Sequence, residues 1–316
     1  MGSARELRSR VTSIRNTQKV TRAMQMVSAV KMQRAVKSVL DIRPYAHNAW
    51  SVLMNMARAM NQKNHPLLEP REVSRVLVVI IASNRGLCGG FNTQILKTFR
   101  SLISEESRLF SSSTESKKKD DNGTDRTVDV LAIGKKAERM AVFYGKNLVA
   151  SFPDLMHTPS FDEARMVANM IIDWYKEGKY DKVTVLYTDY ISAVKQEVKI
   201  RQILPVSVSE FEKQLAEMDI LQEEVGLSAP IHEYKIEPSP DVVLDTVLPA
   251  LIRTQMYHMV LESNASKEAS RMVAMKNATD AAGEIADQFM LVYNRIRQAK
   301  ITQEIAEISA GRAALE

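Results

Sequence analysis

Residues 241–315 form a very long stretch that is almost free of helix-breaking residues. Pro249 is its only proline, and Gly283 and Gly311 are its only glycines. As one helix it would extend about 110 Å at ~1.5 Å per residue, which far exceeds a typical globular helix. This length predicts a coiled coil or a shaft, and the alternative is a helix buried within an ordinary bundle.

The apolar residues of this stretch follow coiled-coil spacing. They recur at alternating intervals of three and four residues, as the a and d positions of a left-handed coiled coil do. The members of this predicted seam are Met275, Ala278, Ala282, Ile285, Phe289, Val292, Ile296 and Ala299. Gln303 then breaks the seam, and Ala306 and Ala310 predict a thin, small-sided tip.

The start of the chain predicts a second long helix, because residues 4–40 contain neither glycine nor proline. An apolar stripe at helical spacing starts there and resumes out of phase after the polar residues 16–19, so we expect the buried face to change. The stripe residues are Leu7, Val11 and Ile14 before the polar stretch, and Val20, Met24 and Val27 after it. Pro44 is expected to kink or interrupt this helix, which then resumes and ends at His65-Pro66.

Strand and helix patterns alternate between these two segments. The run VLVVIIAS after Arg75 is apolar enough for a strand buried on both faces of a parallel sheet. Further strands are predicted at 128–133, 147–151, 183–187, 194–203 and 232–236, and helices at 91–102, 135–143 and 162–177. The Ser-, Lys- and Asp-rich residues 107–126 predict an exposed loop. The acidic segment 206–230 has no clear pattern.

These patterns predict an α/β protein with long terminal helices. The N-terminal helix, 1–65, is expected to pair with the C-terminal helix, 240–316, as an antiparallel coiled coil. The intervening residues, 72–238, are expected to form a small Rossmann-like α/β domain with a mostly parallel sheet.

Positive charge is concentrated at the N-terminus. The net charge is +5, yet residues 1–43 alone hold ten Lys and Arg against two acidic residues, Glu6 and Asp41. The simpler interpretation is a solvated helix face. The more specific interpretation is a basic rod that faces an acidic partner or nucleic acid.

The sequence offers no catalytic or metal-binding constellation. Cys88 is the only cysteine, and the five histidines are scattered, so we expect no disulfide, no metal and no cofactor. The glycine turn at 84–92 follows a strand and precedes a helix, but its spacing fits no phosphate-binding motif and favours a structural turn. The longest apolar run, 76–82, is too short to cross a membrane.

Three blocks of residues resemble the gamma subunit of F-type ATP synthases. The first is SIRNTQKVTRAMQMV at 13–27, and the second is GLCGGFN at 86–92. The third combines RMVAMKNATD at 271–280 with YNRIRQAKITQEIAEI at 293–308. They occur in the order helix, α/β domain, helix, and cover the whole chain. Lys267 and Ala281 depart from the family pattern, where Glu and Asn are common.

The resemblance implies a non-catalytic rotor. In that family the paired terminal helices penetrate a ring of alpha and beta subunits, and the α/β domain sits with epsilon on the membrane c-ring. Proton flow turns the shaft, which drives the catalytic beta sites through open, loose and tight states. No nucleic-acid partner and no direct membrane insertion are then expected. The basic N-terminal helix would face acidic loops on beta.

Four positions are carried over from the family as rotor–stator contacts. Met24 lies where the shaft faces the beta loops, and Arg297, Gln298 and Thr302 lie where the C-terminal helix contacts beta. The alternative for Met24 is plain coiled-coil core. The alternative for Arg297 and Gln298 is a solvated helix face.

Two other functions remain open from the residues alone. A nucleic-acid-binding coiled coil is supported only by the basic first 43 residues, which lack base-stacking aromatics. A nucleotide-binding enzyme is supported only by the glycine turn. Since the first family block begins near residue 13, we expect no presequence and a place on the cytoplasmic face of a bacterial membrane, with an organelle inner or thylakoid membrane as the alternative.

Overall fold

The computed structural model describes residues 4–59, 65–69, 71–105, 109–110, 126–206 and 240–313. Two of our predictions, the order of the loop 107–126 and the strand 232–236, lie largely or wholly outside the described residues, as does nearly all of the unassigned segment 206–230. No helix among the described residues is both long and apolar enough to cross a membrane.

Two very long helices enclose the α/β elements along the chain. Helix α1 spans Ala4–Ala59, and helix α5 spans Pro240–Ala313. The elements between them are β1 Arg75–Ile81, α2 Phe91–Ser104, β2 Thr127–Ile133, α3 Lys135–Phe143, β3 Asn147–Ser151, α4 Phe161–Lys176, β4 Lys182–Tyr190 and β5 Gln196–Leu204, with a 3-10 turn at Asp154–Met156. The long terminal helices are therefore confirmed.

Pro44 does not interrupt α1, so of the two effects that we predicted, a kink or an interruption, the interruption is wrong. The helix continues through Pro44 for another four turns to Ala59. A proline removes one backbone donor, here the N–H that would bond the carbonyl of Leu40. Leu40 and Pro44 are both exposed, so water can bond the carbonyl of Leu40 instead. One lost backbone bond is therefore not enough to end the helix.

The five strands form one sheet in the order β3-β2-β1-β4-β5. The pairs β1–β2, β1–β4 and β2–β3 are parallel, and only the β4–β5 pair is antiparallel. The first four strands thus have the 3-2-1-4 order of a Rossmann-type sheet. This confirms the predicted mostly parallel α/β fold.

Hydrophobic cores cover both faces of the sheet. One face of β1 packs with α2 and α3 through residues such as Val78, Phe99 and Met140. The other face packs with α4 and the first half of α5 through residues such as Val79, Ile171 and Met256. Because both faces are covered, β1 is buried at every position after Arg75, as its apolar run predicted.

Tyr175 anchors α4 on this second face. Arg71 stacks over its ring with Cζ 4.4 Å from the ring centroid, and the phenol donates to the carbonyl of Glu69 at 3.2 Å. Burial raises the pKa of Tyr175 from 10.0 to about 12, since the phenolate would lose its hydration.

The chain divides into two compact units. The smaller comprises residues 1–30 with 271–316, and the larger comprises residues 31–270. Helices α1 and α5 each pass from one unit into the other. Our three-part division at 1–65, 72–238 and 240–316 stays a prediction.

Candidate functional site

The smaller unit is an antiparallel helix pair. Along α1, Gln18 and Thr21 contact α5 at Thr279, whereas Val11, nearer the N-terminus, shares a cleft with Met290 and Tyr293. Rising numbers on α1 therefore meet falling numbers on α5. The pairing predicted from the two terminal segments is present in this unit.

The buried stripe of α1 does not change face, contrary to our prediction. Val20 and Val27 are 58% and 55% exposed. The stripe instead continues in phase with its apolar start, at alternating intervals of four and three residues. Its members in this unit are Leu7, Val11, Ile14, Gln18, Thr21, Gln25 and Ser28, all buried or half-buried. Gln18 and Thr21 can hold inner positions because Thr279 of α5 supplies hydrogen-bond partners for them.

On α5 the observed seam shares only part of the predicted one. Met275, Ala282 and Ala286 are buried, and Thr279 lies among them. Ile285 and Val292, two predicted seam residues, are 43% and 46% exposed. After Met275 the buried positions carry small residues, whereas the larger β-branched side chains lie towards the solvent.

A polar layer crosses the centre of the helix pair. The Nε2 of Gln18 donates to the carbonyl of Thr279 at 3.4 Å, and the hydroxyl of Thr279 donates to that of Thr21 at 2.8 Å. A Cβ added to Gly283 would lie 2.7 Å from Nε2 of Gln18. Glycine at this position therefore makes room for the glutamine side chain. Sequence reasoning missed this layer, although the spacing of Gln18 and Thr21 from Ile14 could have indicated it.

A basic cleft opens beside the pair nearer the N-terminus of α1. It has a volume of about 410 Å³, with Arg8, Arg15 and Lys19 along one wall and Met290 and Tyr293 on the other. The three cations make the surface of the cleft positive, and the apolar residues opposite them add contact area, which suits an acidic protein segment.

Three of the four predicted contact residues lie together on α5. Arg297, Gln298 and Thr302 are all exposed, and Gln298 and Thr302 share one face at i and i+4. The guanidinium carbon of Arg297 lies 6.0 Å from the ring centroid of Tyr293. Met24, on α1, is half-buried. All four residues therefore lie in the smaller unit.

The glycine turn is internally satisfied. Asn92 accepts from the backbone N–H of Ser83 at 3.2 Å and donates to the thiol sulfur of Cys88 at 3.0 Å. Gly134, at the start of α3, has φ +97°, and a Cβ there would collide with the carbonyl of Ala82. These contacts hold the ends of β1 and β2 in place, so the glycines here have a structural role. In the parts of the chain that are described, no group of acidic, His and Cys side chains could hold a metal.

The usual ligand position of a Rossmann-type sheet is occupied by α5. Ligands bind such sheets at the carboxyl ends of the strands where the order reverses, here between β1 and β4. Beyond the last β1–β4 pair, Ile80 with Leu186, the backbone of Thr188 is bonded by Ser263 and Ser266 of α5. This arrangement disfavours the nucleotide-binding enzyme.

Comparison with known proteins covers the full chain. A family model described as ATP synthase matches residues 3–315. A relative from Heliobacterium modesticaldum, named ATP synthase gamma chain, is 36% identical over 315 residues and spans 100% of both chains. A Legionella pneumophila protein of the same name is 34% identical over 316 residues, again across 100% of each chain.

This chain belongs to the ATP synthase gamma chain family.

Solved structures share the fold. A chain of the Euglena gracilis mitochondrial ATP synthase matches with a TM-score of 0.61 at 18% identity, covering 99% of this chain and 94% of that one. A chain of the Tetrahymena thermophila mitochondrial ATP synthase central stalk and c-ring matches with a TM-score of 0.55 at 23% identity, covering 82% and 99%. The family model and the relatives confirm the resemblance inferred from the three sequence blocks.

The end of α5 is more exposed to solvent than the rest of the helix pair. Residues 301–310 are exposed at every position, including Ile301, Ile305 and Ile308. These three isoleucines recur at i, i+4 and i+7, so they form one apolar stripe. In the described chain nothing covers this stripe.

Proposed function

We propose that the chain is the central rotor shaft of an F-type ATP synthase. It couples proton flow through the membrane c-ring to the conformational cycling of the beta subunits. The match to the ATP synthase family model over residues 3–315, together with full-length relatives named ATP synthase gamma chain, is the observation that carries this proposal. In this role the helical segments 1–65 and 240–316 are the shaft, and 72–238 is the domain that meets epsilon and the c-ring.

The helix pair suits the transmission of torque. A helix within a coiled coil is held in register by its seam, and the polar layer at Gln18 and Thr279 restricts sliding because hydrogen bonds are directional. The exposed apolar stripe at Ile301, Ile305 and Ile308 fits a sleeve formed by the ring of alpha and beta subunits. Apolar contact there is non-directional and permits turning.

The chain's own part in the reaction is mechanical. We infer that ATP synthesis and hydrolysis occur on beta, and that the chain is a non-catalytic subunit that needs no cofactor. Its glycine turn is satisfied by Asn92, and its sheet crevice is occupied by α5. Both features support a structural use of the α/β domain.

Contacts with the stator are assigned to four residues. Arg297, Gln298 and Thr302 are exposed on α5 and are proposed to contact beta, with Met24 facing the beta loops from α1. The basic cleft at Arg8, Arg15 and Lys19 is proposed to face acidic loops of beta. Such a rotor would be peripheral, at the cytoplasmic face of a bacterial membrane, as the full-length bacterial relatives suggest.

Reconstitution tests this function. The full chain is mixed with alpha and beta subunits of a gamma-chain relative's complex, and ATP hydrolysis is measured with and without it. We expect a stable complex whose hydrolysis depends on the chain. A folded chain that neither binds nor stimulates the other subunits would contradict the proposal.

A further inference from the structure

A polar face on α5 fastens the long helix to the α/β domain. We propose that four residues, Ser263, Ser266, Lys267 and Ser270, form a clamp that passes torque between the domain and the helix. They recur at i, i+3, i+4 and i+7, so they lie along one face of α5. This inference rests on the proposed rotor function and specifies where the domain grips the shaft.

The first part of the clamp is bonded to strand β4. The backbone N–H of Thr188 donates to the hydroxyl oxygen of Ser263 at 3.1 Å, and the hydroxyl of Ser266 donates to the carbonyl of Thr188 at 3.3 Å. Ser263, Ser266 and Thr188 are almost completely buried. One residue of the sheet is therefore held through both of its backbone polar groups.

The second part of the clamp is bonded to the 3-10 turn at Asp154–Met156. The ammonium of Lys267 donates to the carbonyl of Met156 at 2.8 Å and to the side-chain oxygen of Asn264 at 2.7 Å, with Glu268 3.4 Å away. Lys267 is only 5% exposed. Charged hydrogen bonds are stronger than neutral ones, and they gain strength from burial.

The third part lies one turn further along α5. The hydroxyl of Ser270 donates to the side-chain oxygen of Gln196 at 2.9 Å, at the start of β5. Ser270 is the last residue of the larger compact unit. The clamp thus occupies the final two turns of α5 before the chain enters the helix pair.

These contacts have a mechanical consequence that apolar packing lacks. Apolar contacts depend on buried area and change little when two surfaces slide by a small distance. Hydrogen bonds weaken steeply when their geometry is distorted. Since the clamp residues are bonded to two separate elements, β4 and the turn at Met156, rotation of α5 about its own axis distorts bonds of both sets.

The test measures torsional stiffness in the assembled complex of the chain with alpha and beta subunits. The hexamer is fixed to a surface, and a probe is attached through Val142→Cys in α3, where the native side chain is 67% exposed. Cys88 is buried and does not compete for the label. The angular variance of the probe is recorded while the complex is stalled.

Two clamp variants are compared with one packing control. The variants are Lys267→Met, and Ser266→Ala combined with Ser270→Ala. The control is Leu248→Ala, which creates an apolar cavity in the same helix without touching the clamp. We expect the angular variance to rise about twofold in the clamp variants, because directional bonds are lost, and to stay unchanged in the control.

The outcomes separate the clamp from the rotor function. Equal variance in the unmodified chain and the serine variant, in complexes that hydrolyse ATP normally, would overturn the clamp. An equal rise in Leu248→Ala would also overturn it, because general loosening would then explain the effect. Absence of a complex with the unmodified chain would instead contradict the rotor function. If Lys267→Met fails to assemble, the serine variant alone decides.

Discussion

The side-chain nitrogen of Gln18 lies 3.4 Å from the main-chain oxygen of Thr279, across the helix pair. A glutamine at an inner position of a coiled coil is unusual, because inner positions are normally apolar. It is accommodated here because Gly283 leaves space beside it. A polar layer among apolar inner positions favours one register over others, since a shift would leave its hydrogen-bonding groups unsatisfied.

Replacing Gly283 with alanine tests this relationship. Alanine favours a helix over glycine by about 1 kcal/mol, but its Cβ would displace the Gln18 amide and remove a bond worth about 1 kcal/mol. We therefore expect little net change in the free energy of unfolding for Gly283→Ala alone. In a Gln18→Ala background the same change should stabilise by about 1 kcal/mol. Urea unfolding followed by circular dichroism measures both, and equal effects in the two backgrounds would show that the residues are uncoupled.

The seam of α5 can be mapped by truncation of two of its apolar residues. Met275→Ala removes a buried side chain and should cost about 2–4 kcal/mol of unfolding free energy. Ile285→Ala removes a side chain that is 43% exposed and should cost less than about 1 kcal/mol in the isolated chain. Thermal unfolding of the isolated chain compares them. Similar losses for both would restore the seam predicted from sequence.

Arg297→Ala combined with Gln298→Ala tests the proposed contact with beta. We expect coupled ATP turnover to fall about tenfold, equivalent to ~1.4 kcal/mol of lost interaction, while the isolated chain keeps its helical content. The matched control is Lys300→Ala, which removes another exposed cation on α5 that pairs with Glu304. Normal turnover in an assembled double variant would remove these residues from the contact.

Stability should decrease in strongly alkaline solution, in part because of Tyr175. The pKa of Tyr175 is raised by burial from 10.0 to about 12, so the unfolded chain loses this proton at a lower pH than the folded chain. The contribution is complete below pH 10 and is lost as pH rises from 10.0 towards 12. Tyr175→Phe should make the fall in unfolding free energy between pH 10.0 and about 12 less steep, as measured by urea unfolding. An unchanged slope would show that Tyr175 does not titrate differently in the two states.

Most of the fold could be predicted because its signals are local. Helix α3 begins after Gly134 and ends at Phe143, and strand β3 spans Asn147–Ser151, as the apolar spacing and glycines indicated. The pairing direction of β5 was not predicted. Whether a strand pairs parallel or antiparallel depends on contacts between segments, and its own sequence pattern carries little of that information.

The details of the helix pair could not be predicted in the same way. Apolar Val20 and Val27 were predicted to be core, whereas Gln18 was placed in a polar stretch outside the stripe. Their true positions depend on what the opposite helix offers, namely small residues and hydrogen-bond partners on α5. The proposed contact residues came from family resemblance, and since Arg297 and Gln298 are simply exposed in the isolated chain, their spacing alone carries no sign of function.

The crevice between β1 and β4 is filled from within. In many proteins with this sheet a small molecule binds reversibly at the same place. Here Ser263 and Ser266 bond the backbone of Thr188, so the chain's own helix occupies the crevice. A small molecule could enter this crevice only by displacing α5, which would break both of these hydrogen bonds.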